Sequence, residues 1–422
     1  MRRIFVHLTI IALTALAPAV RAADEDAVKE KIKELNNLSG NEAVLKKVRD
    51  LLKDKDAAKK LVKAADEMAK LDSKQFKYTG AQALAVTAFQ LKDYEAAMRF
   101  YKICDKKANE LKSATKILEA FEGQFRVLLV TKRFDDAEQL CRKLLETEGS
   151  EDLENSKIFV SEQLIMVMAR QGKVDEALKL ADGMIKRVPQ VDWFFLRVKG
   201  SVLHEAGRDE EAVKAYLESI DKLENDEALK PQVQESLISE NRYLLSNVYV
   251  ELNQVDKAAE QLKELLKQKP DNPSYNNDLG YIWADHNMNL DESEKLVRKA
   301  IDLDRKKRDE ERKKGELLPD EDHDNGAYLD SLGWVLFKKK QYAEAKKPLL
   351  EAAKTREGEH IEILDHLADV HMALGEKTEA ISVWKKALDM DTSSKRDMRR
   401  RGEIVKKLKA AEGKSEKPPE KK

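Results

Sequence analysis

The histidines near the C-terminal end of the chain are the first residues whose type could support metal chemistry. His360, His366 and His371 are separated by six and five residues. Two ligands on one helix face stand three or four residues apart, so these separations spread the three rings around a helix. A structural role is therefore favoured, and His371 stands where another copy of the pattern described below carries Tyr249.

Two further segments imitate ligand sites without their required residues. Gly413-Lys414-Ser415 matches the end of a phosphate-binding loop, but Leu408 stands where that loop needs its first glycine. The acidic segment from Asp320 to Asp324 could hold a cation weakly, but it lacks the ligand spacing and the glycine of a calcium-binding loop. The sequence contains neither a Gly-x-Ser-x-Gly nor a His-Glu-x-x-His motif. We therefore predict no catalytic site, no cofactor and no metal site.

A repeated pattern of large and small residues is the strongest signal in the chain. In one copy Leu332-Gly333 is followed by Ala345, and in the next copy Leu367-Ala368 is followed by Ala380 at the same spacing. Eight copies can be traced, which begin near Tyr78, Leu118, Ile158, Trp193, Ser239, Pro273, Gly326 and Ile361. The sixth copy fits only if one residue is inserted in the turn at 287–290.

This pattern resembles the tetratricopeptide repeat, a pair of antiparallel helices with a period of about 34 residues. The resemblance implies an all-α fold, a right-handed α-solenoid of stacked antiparallel helix pairs. Small residues such as Gly333 and Ala345 let the two helices approach closely, while large residues fill the volume between them. One pair cannot bury its apolar face alone, so neighbouring pairs must stack on it.

In that family the first helix of each pair lines a concave groove, with its second, fifth, ninth and twelfth places pointing inward. Here those places carry aromatic rings interleaved with amides and charges, which suits an extended peptide. We predict a groove for a protein or peptide partner formed by Arg197, Tyr243, Asn247, Asn277, Tyr281, Asp330 and Trp334. The alternative for Trp334 and Phe337 is packing against the adjacent first helix. Asp330, Asp365 and Asp369 make the last part of the groove acidic, which suits basic or backbone-donor ligands better than the carboxylate tails that chaperone-binding members hold.

The N-terminal end of the chain is typical of a secretory signal. Arg2-Arg3 precede an apolar run from Ile4 to Ala17, and Val20-Arg21-Ala22 precedes acidic residues. We predict that residues 1–22 are a signal peptide, removed by cleavage after Ala22. The mature protein is then exported and is periplasmic or secreted, with an uncleaved N-terminal anchor as the alternative.

Composition excludes some classes of partner. The 78 Lys and Arg residues are balanced by 79 Asp and Glu, which gives a net charge of -1 and no bulk attraction for nucleic acid. No stretch after the N-terminal run approaches the roughly 20 apolar residues of a membrane span. In an oxidising compartment Cys104 and Cys141 could form a disulfide, although both stand at places typical of small buried hydrophobes.

The remaining organisation follows from where the repeats stop. We expect an N-terminal helical cap or degenerate repeats over 23–77, eight repeats over 78–394, a capping helix over 395–410 and a disordered tail over 411–422. A charged insertion at 305–325 follows the sixth repeat. Its first part is expected to extend a helix into solvent and its second part to form an acidic loop, with a docking element for a partner as the alternative.

The C-terminal third is similar to exported bacterial tetratricopeptide proteins through the segments 277–281, 329–337 and 366–370. Some of these relatives are outer-membrane lipoproteins that act as adaptors for periplasmic carboxy-terminal processing proteases. This chain has no lipidation cysteine near residue 22 and carries the insertion at 305–325. We predict a non-enzymatic, exported scaffold or adaptor whose partner is a protein or peptide, such as a periplasmic protease or a cell-envelope complex. The alternative is an accessory subunit, or a binder of a small ligand or metal, that uses the acidic end of the groove.

Overall fold

The computed structural model describes residues 26–318, 320–355, 360–390 and 395–413. Within these ranges every regular element is a helix. The chain divides into two compact units, residues 1–191 and 192–422. The predicted signal peptide and residues 414–422 of the predicted tail lie outside the described residues.

The first unit contains α1 to α9 within its described residues. Their bounds are 26–36 (α1), Gly40–Leu52 (α2), Lys55–Leu71 (α3), Tyr78–Gln90 (α4), Tyr94–Glu110 (α5), Ala114–Val130 (α6), Phe134–Glu146 (α7), Glu151–Arg170 (α8) and Val174–Arg187 (α9). Consecutive helices pack as the hairpins α4 with α5, α6 with α7, and α8 with α9. The helices α1 to α3 precede these hairpins and occupy the segment predicted as an N-terminal helical cap.

The second unit contains α10 to α20 within its described residues. Their bounds are Asp192–Glu205 (α10), Asp209–Glu224 (α11), Pro231–Glu251 (α12), Val255–Gln268 (α13), Pro273–Asp285 (α14), Leu290–Lys314 (α15), Gly326–Lys338 (α16), Tyr342–Ala352 (α17), Ile361–Ala373 (α18), Lys377–Leu388 (α19) and Lys395–Glu412 (α20). Five hairpins, from α10 with α11 to α18 with α19, stack in order, and α20 packs on the last one.

A left-handed backbone residue reverses the chain inside each hairpin. Gly207, for example, has φ 74° and Lys340 has φ 63°. The equivalent residues in five other hairpins are Lys92, Lys132, Gly172, Asn253 and Gly375. The turn between α14 and α15 differs because both Asn287, at φ 55°, and Asn289, at φ 46°, are left-handed. Asparagine tolerates this region better than most residues, so the turn accommodates the extra residue of the sixth copy.

Close helix approach depends on the small residues of the pattern. A Cβ atom added to Gly333 in α16 would lie 2.4 Å from Cγ of Leu349 in α17. A Cβ atom added to Gly200 in α10 would lie 2.9 Å from the ring of Tyr216 in α11. Ala345 is fully buried in the same layer as Leu349. These contacts bring the first helix of each hairpin into a fixed position, which sets the surface it presents.

The charged insertion after the sixth repeat folds onto itself. Its first part extends α15 to 25 residues, and its second part returns along that helix. Arg305 Nε lies 3.0 Å from Asp324 Oδ1, and Arg308 also pairs with Asp324. Arg312 pairs with Asp322 at 2.5 Å. The acidic loop is therefore tied to the basic face of the helix that precedes it.

The predicted fold class is confirmed, since stacked antiparallel helix pairs form both units. None of the helices in the described part of the chain combines the length and the apolar character that a membrane crossing requires. Cys104 and Cys141 are both buried and both free.

Candidate peptide-binding groove

The first helices of the hairpins in the second unit bring polar and aromatic side chains to one surface, which we call the groove. On α12, Tyr243, Asn247 and Glu251 follow each other at intervals of four residues and therefore share one helix face. They open onto a pocket of about 410 Å³, which is lined by His204, Tyr243, Asn247, Val250, Glu251, Asp278, Tyr281, Ile282 and Arg396. The lining comes from α10, α12, α14 and α20, so the pocket exists only because these helices are stacked.

Asp278 is held in the pocket by two neutral donors. The hydroxyl of Tyr243 donates to its Oδ2 at 2.7 Å, and the amide of Asn277 donates to its Oδ1 at 3.2 Å. Burial raises the pKa of Asp278, and these two hydrogen bonds oppose that change only in part. The ring of Tyr275 lies 5.4 Å from the ring of Tyr243 and fixes its position. The pocket therefore combines an aromatic wall with a carboxylate.

Tyr281 connects the pocket to the acidic part of the groove. Its hydroxyl donates to Glu362 Oε1 at 2.6 Å, and the same oxygen accepts from Arg396 at 2.7 Å and from Arg400 at 2.5 Å. Burial by itself would raise the pKa of Glu362, but the charges of Arg400, His366 and Arg396 outweigh it and lower the pKa to about 2. Glu362 is therefore an anion at any physiological pH, and α20 supplies its two guanidinium partners.

The helix α20 supplies further cations to the acidic residues of α18. Lys407 Nζ lies 2.8 Å from Asp365 Oδ1 and 2.7 Å from Asp369 Oδ2. Arg400 Nη1 lies 3.2 Å from Asp365 Oδ2, and the indole of Trp384 donates to Asp365 Oδ1 at 2.9 Å. Burial and the charge of Asp365 raise the pKa of Asp369, whereas Lys407 opposes that change. The acidic end of the groove is thus occupied by residues of the same chain.

The structure brings some of the predicted groove residues together at the pocket. Tyr243, Asn247 and Tyr281 line it, and Asn247 is exposed there. Asn277 is buried beside Asp278, and its Oδ1 has no hydrogen-bond partner among the described residues.

Asp330 and Trp334 are more enclosed and contact one another through His366. Nδ1 of His366 lies 3.0 Å from Asp330 Oδ1, and its ring stacks on Trp334 with the centroids 3.9 Å apart. Trp334 also stacks on Phe337 and donates from Nε1 to Asp285 at 2.9 Å. These are the packing contacts that the alternative interpretation of Trp334 and Phe337 expects.

Arg197 lies away from the pocket lining. Its guanidinium sits 4.9 Å from the ring centroid of Phe194 and 3.2 Å from Glu240 Oε1. The side chain of Arg197 therefore connects α10 to α12 at the surface.

Three models of one repeat family match the sequence. The description "Tetratricopeptide repeat" applies to the matches at residues 243–307 and 361–394, and "Tetratricopeptide repeat-like domain" to the match at 123–239. Together these ranges cover just over half of the chain. The chain belongs to the tetratricopeptide repeat family.

Similar proteins include other members of this family. A TPR repeat-containing protein of Pseudomonas aeruginosa is 27% identical over 203 residues, which are 48% of this chain and 29% of that protein. The match therefore spans less than a third of the length of this relative. Among solved structures, a tetratricopeptide repeat protein of Parabacteroides merdae is 16% identical, with 68% of this chain and 98% of that chain covered and a TM-score of 0.46. A thermophilic TPR protein of Thermus thermophilus is also 16% identical, with coverage of 50% and 98% and a TM-score of 0.37.

The tetratricopeptide register also reaches two residues that the sequence prediction left out, His204 in the pocket and Glu362 in the adjoining acidic part of the groove. Glu362 stands at the second place of its repeat and His204 at the twelfth place, so the same pattern could have found both. Asp278 stands one residue beyond the fifth place, and no local signal marks it. Arg396 lies outside all eight repeats, and only the position of α20 brings it to the pocket.

Proposed function

We propose that this tetratricopeptide repeat protein is a non-enzymatic scaffold or adaptor that binds a protein or peptide partner in the groove of its second unit. The observation that carries the proposal is the pocket lined by Tyr243, Asn247, Asp278 and Tyr281 on successive first helices. Aromatic rings offer contact area at low entropic cost, and amide and carboxylate groups pair with a peptide backbone or with cationic side chains.

Export of the protein is the second part of the proposal. The first 22 residues support it, because a basic start, an apolar run and a small-residue end precede the acidic mature sequence. The partner is then a protein of the cell envelope, such as a periplasmic protease or a larger envelope complex. Mass measurement of the protein isolated from the envelope fraction tests this directly. We expect a mature chain that begins at Ala23, and an intact Met1 in a cytoplasmic fraction would contradict export.

Binding through the pocket can be tested with one exposed residue. Asn247→Arg places a large cation in the pocket without removing a buried contact, since Asn247 is exposed. Asn155 is exposed on α8 of the first unit, and Asn155→Arg is the matched control. Each variant serves as bait in a purification from native cell envelopes, with quantitative mass spectrometry of the recovered proteins.

We expect Asn247→Arg to reduce recovery of a defined partner at least tenfold, with a melting temperature within about 2 °C of the native chain. Asn155→Arg should recover the partner as the native chain does. Equal recovery by both variants would place the binding surface elsewhere. Recovery of no protein by the native bait would remove the scaffold proposal altogether.

A further inference from the structure

The C-terminal helix α20 has two different faces. Ile404 and Ala411 are buried against α18 and α19 in a cluster that contains Trp384, and Leu408 packs on the same cluster. This apolar face covers the end of the last repeat. A helix that did nothing more than cover that end would need only this face.

The basic face of α20 reaches well beyond the last hairpin. Arg396 donates to Glu362 on α18 and lies with its guanidinium 6.0 Å from the ring centroid of Tyr281 on α14. Arg399 pairs with Glu251 at the end of α12. The first turns of α20 therefore lie at the pocket of the groove, and Arg396 forms part of the pocket wall. These contacts resemble those of a bound basic peptide more than those of a cap.

The three arginines in the first turns of α20 differ in exposure. The side chain of Arg400 is 16% exposed, whereas those of Arg396 and Arg399 are 44% and 61% exposed. An exposed ion pair contributes little to stability and weakens further in salt. The Arg399 contact at the pocket is therefore weak, whereas Arg396 shares the buried carboxylate of Glu362 with Arg400. A competing basic segment can replace both contacts one for one.

We infer that the partner of the groove presents a basic amphipathic helix, and that α20 occupies the same surface in cis and competes with it. The inference rests on the proposed function for the location of the site, and it adds the chemical class of the partner. The chemical class of the partner follows from four carboxylates of the groove, each of which forms an ion pair with an Arg or Lys side chain of α20. They are Glu251, Glu362, Asp365 and Asp369. A partner of this kind needs Arg or Lys on one face and aliphatic residues on the other.

A labelled synthetic peptide with the sequence of residues 395–412 serves as the probe, since it carries both faces of α20. Its affinity for the full chain is measured by fluorescence anisotropy at about 0.05 M and about 0.5 M salt. In the first variant, Arg396→Glu and Arg400→Glu place two carboxylates beside Glu362 and repel α20 from the groove. The control variant combines Lys406→Glu and Lys409→Glu, which reverse two charges on the exposed side of the same helix.

The peptide should bind the R396E/R400E chain at least tenfold more tightly than the native chain, and the difference should shrink in high salt. The K406E/K409E chain should bind it as the native chain does. Equal affinity for all three chains would overturn the inference, provided that circular dichroism shows the same helix content. If the first variant does not fold, Arg399→Glu replaces it, with Lys409→Glu as its control and an expected gain of about threefold.

The oligomeric state of the native chain provides a separate outcome. If sedimentation shows a dimer that the peptide dissociates, the occupant is α20 of a second copy and the partner inference is wrong. Failure of the peptide test is also distinguishable from failure of the proposed function. Asn247→Arg could lose partner capture while the peptide binds the native chain and both charge-reversal variants equally. That result would keep the groove as the binding surface and reject only a basic helix as the partner.

Discussion

Replacing Glu362 with glutamine should weaken the second unit in a way that depends strongly on pH. Glu362 accepts hydrogen bonds from Tyr281, Arg396 and Arg400, and glutamine keeps its shape but not its charge. The pKa of Glu362 is lowered from 4.5 to about 2 while its side chain is 14% exposed. A difference of this size corresponds to about 3 kcal/mol at neutral pH, at about 1.4 kcal/mol for each pKa unit.

The sign follows from the direction of the pKa change. A carboxyl group whose pKa is lower in the folded state stabilises that state fully above its unfolded pKa, near 4.5, and loses the contribution as the pH falls toward 2. The native chain should therefore exceed Glu362→Gln in the free energy of unfolding by about 3 kcal/mol at pH 7 and by about 1 kcal/mol at pH 3.

Tryptophan fluorescence during urea unfolding measures this difference. The four tryptophans, at positions 193, 283, 334 and 384, all lie in the second unit, so the signal is free of the first unit. Glu403→Gln is the control, because Glu403 is exposed on α20 and its replacement should change stability by less than about 0.5 kcal/mol. An equal loss at pH 7 and pH 3, or a loss no larger than that of the control, would refute the assigned role of the Glu362 charge.

Other features of the second unit give further expected outcomes. Gly280→Ala should destabilise the unit by about 1–3 kcal/mol in the same urea experiment, because the new Cβ would lie 2.9 Å from the carbonyl oxygen of Ser293. Gly402→Ala in α20 is its control, since a Cβ there meets nothing within 4 Å, and it should be neutral or stabilising by up to about 1 kcal/mol. The pKa of His366, followed by NMR, should lie above 6.5, since burial lowers it but the charge and hydrogen bond of Asp330 outweigh burial. The ion pair of His366 with Asp330 stabilises the fold below pH 6.5, and this contribution is lost as the pH rises through the raised pKa of His366. Asp330→Asn should abolish this pH dependence of the free energy of unfolding.

The repeat pattern predicts the hairpins because the signals for them are local. Gly333 and Ala345 lie in one hairpin, and the space between its helices decides that both must be small. The extra residue near Asn287 is visible in the sequence for the same reason, since a turn is built from neighbouring residues. The positions of Tyr243, Asn247 and Tyr281 within their repeats likewise place them on one surface, and the structure has the pocket there.

The sequence did not predict which charges meet across that surface. Arg399 and Glu251 are 148 residues apart, and Arg396 and Tyr281 are 115 residues apart. A basic run on a terminal helix is compatible with solvent, with a ligand or with any acidic surface, because a charge carries no information about its partner's position in the chain. The sequence by itself therefore determined the helices, their pairing and the face of each first helix. Only the stacking of the hairpins decided that the acidic end of the groove is occupied by α20, since that contact depends on where distant helices end in space.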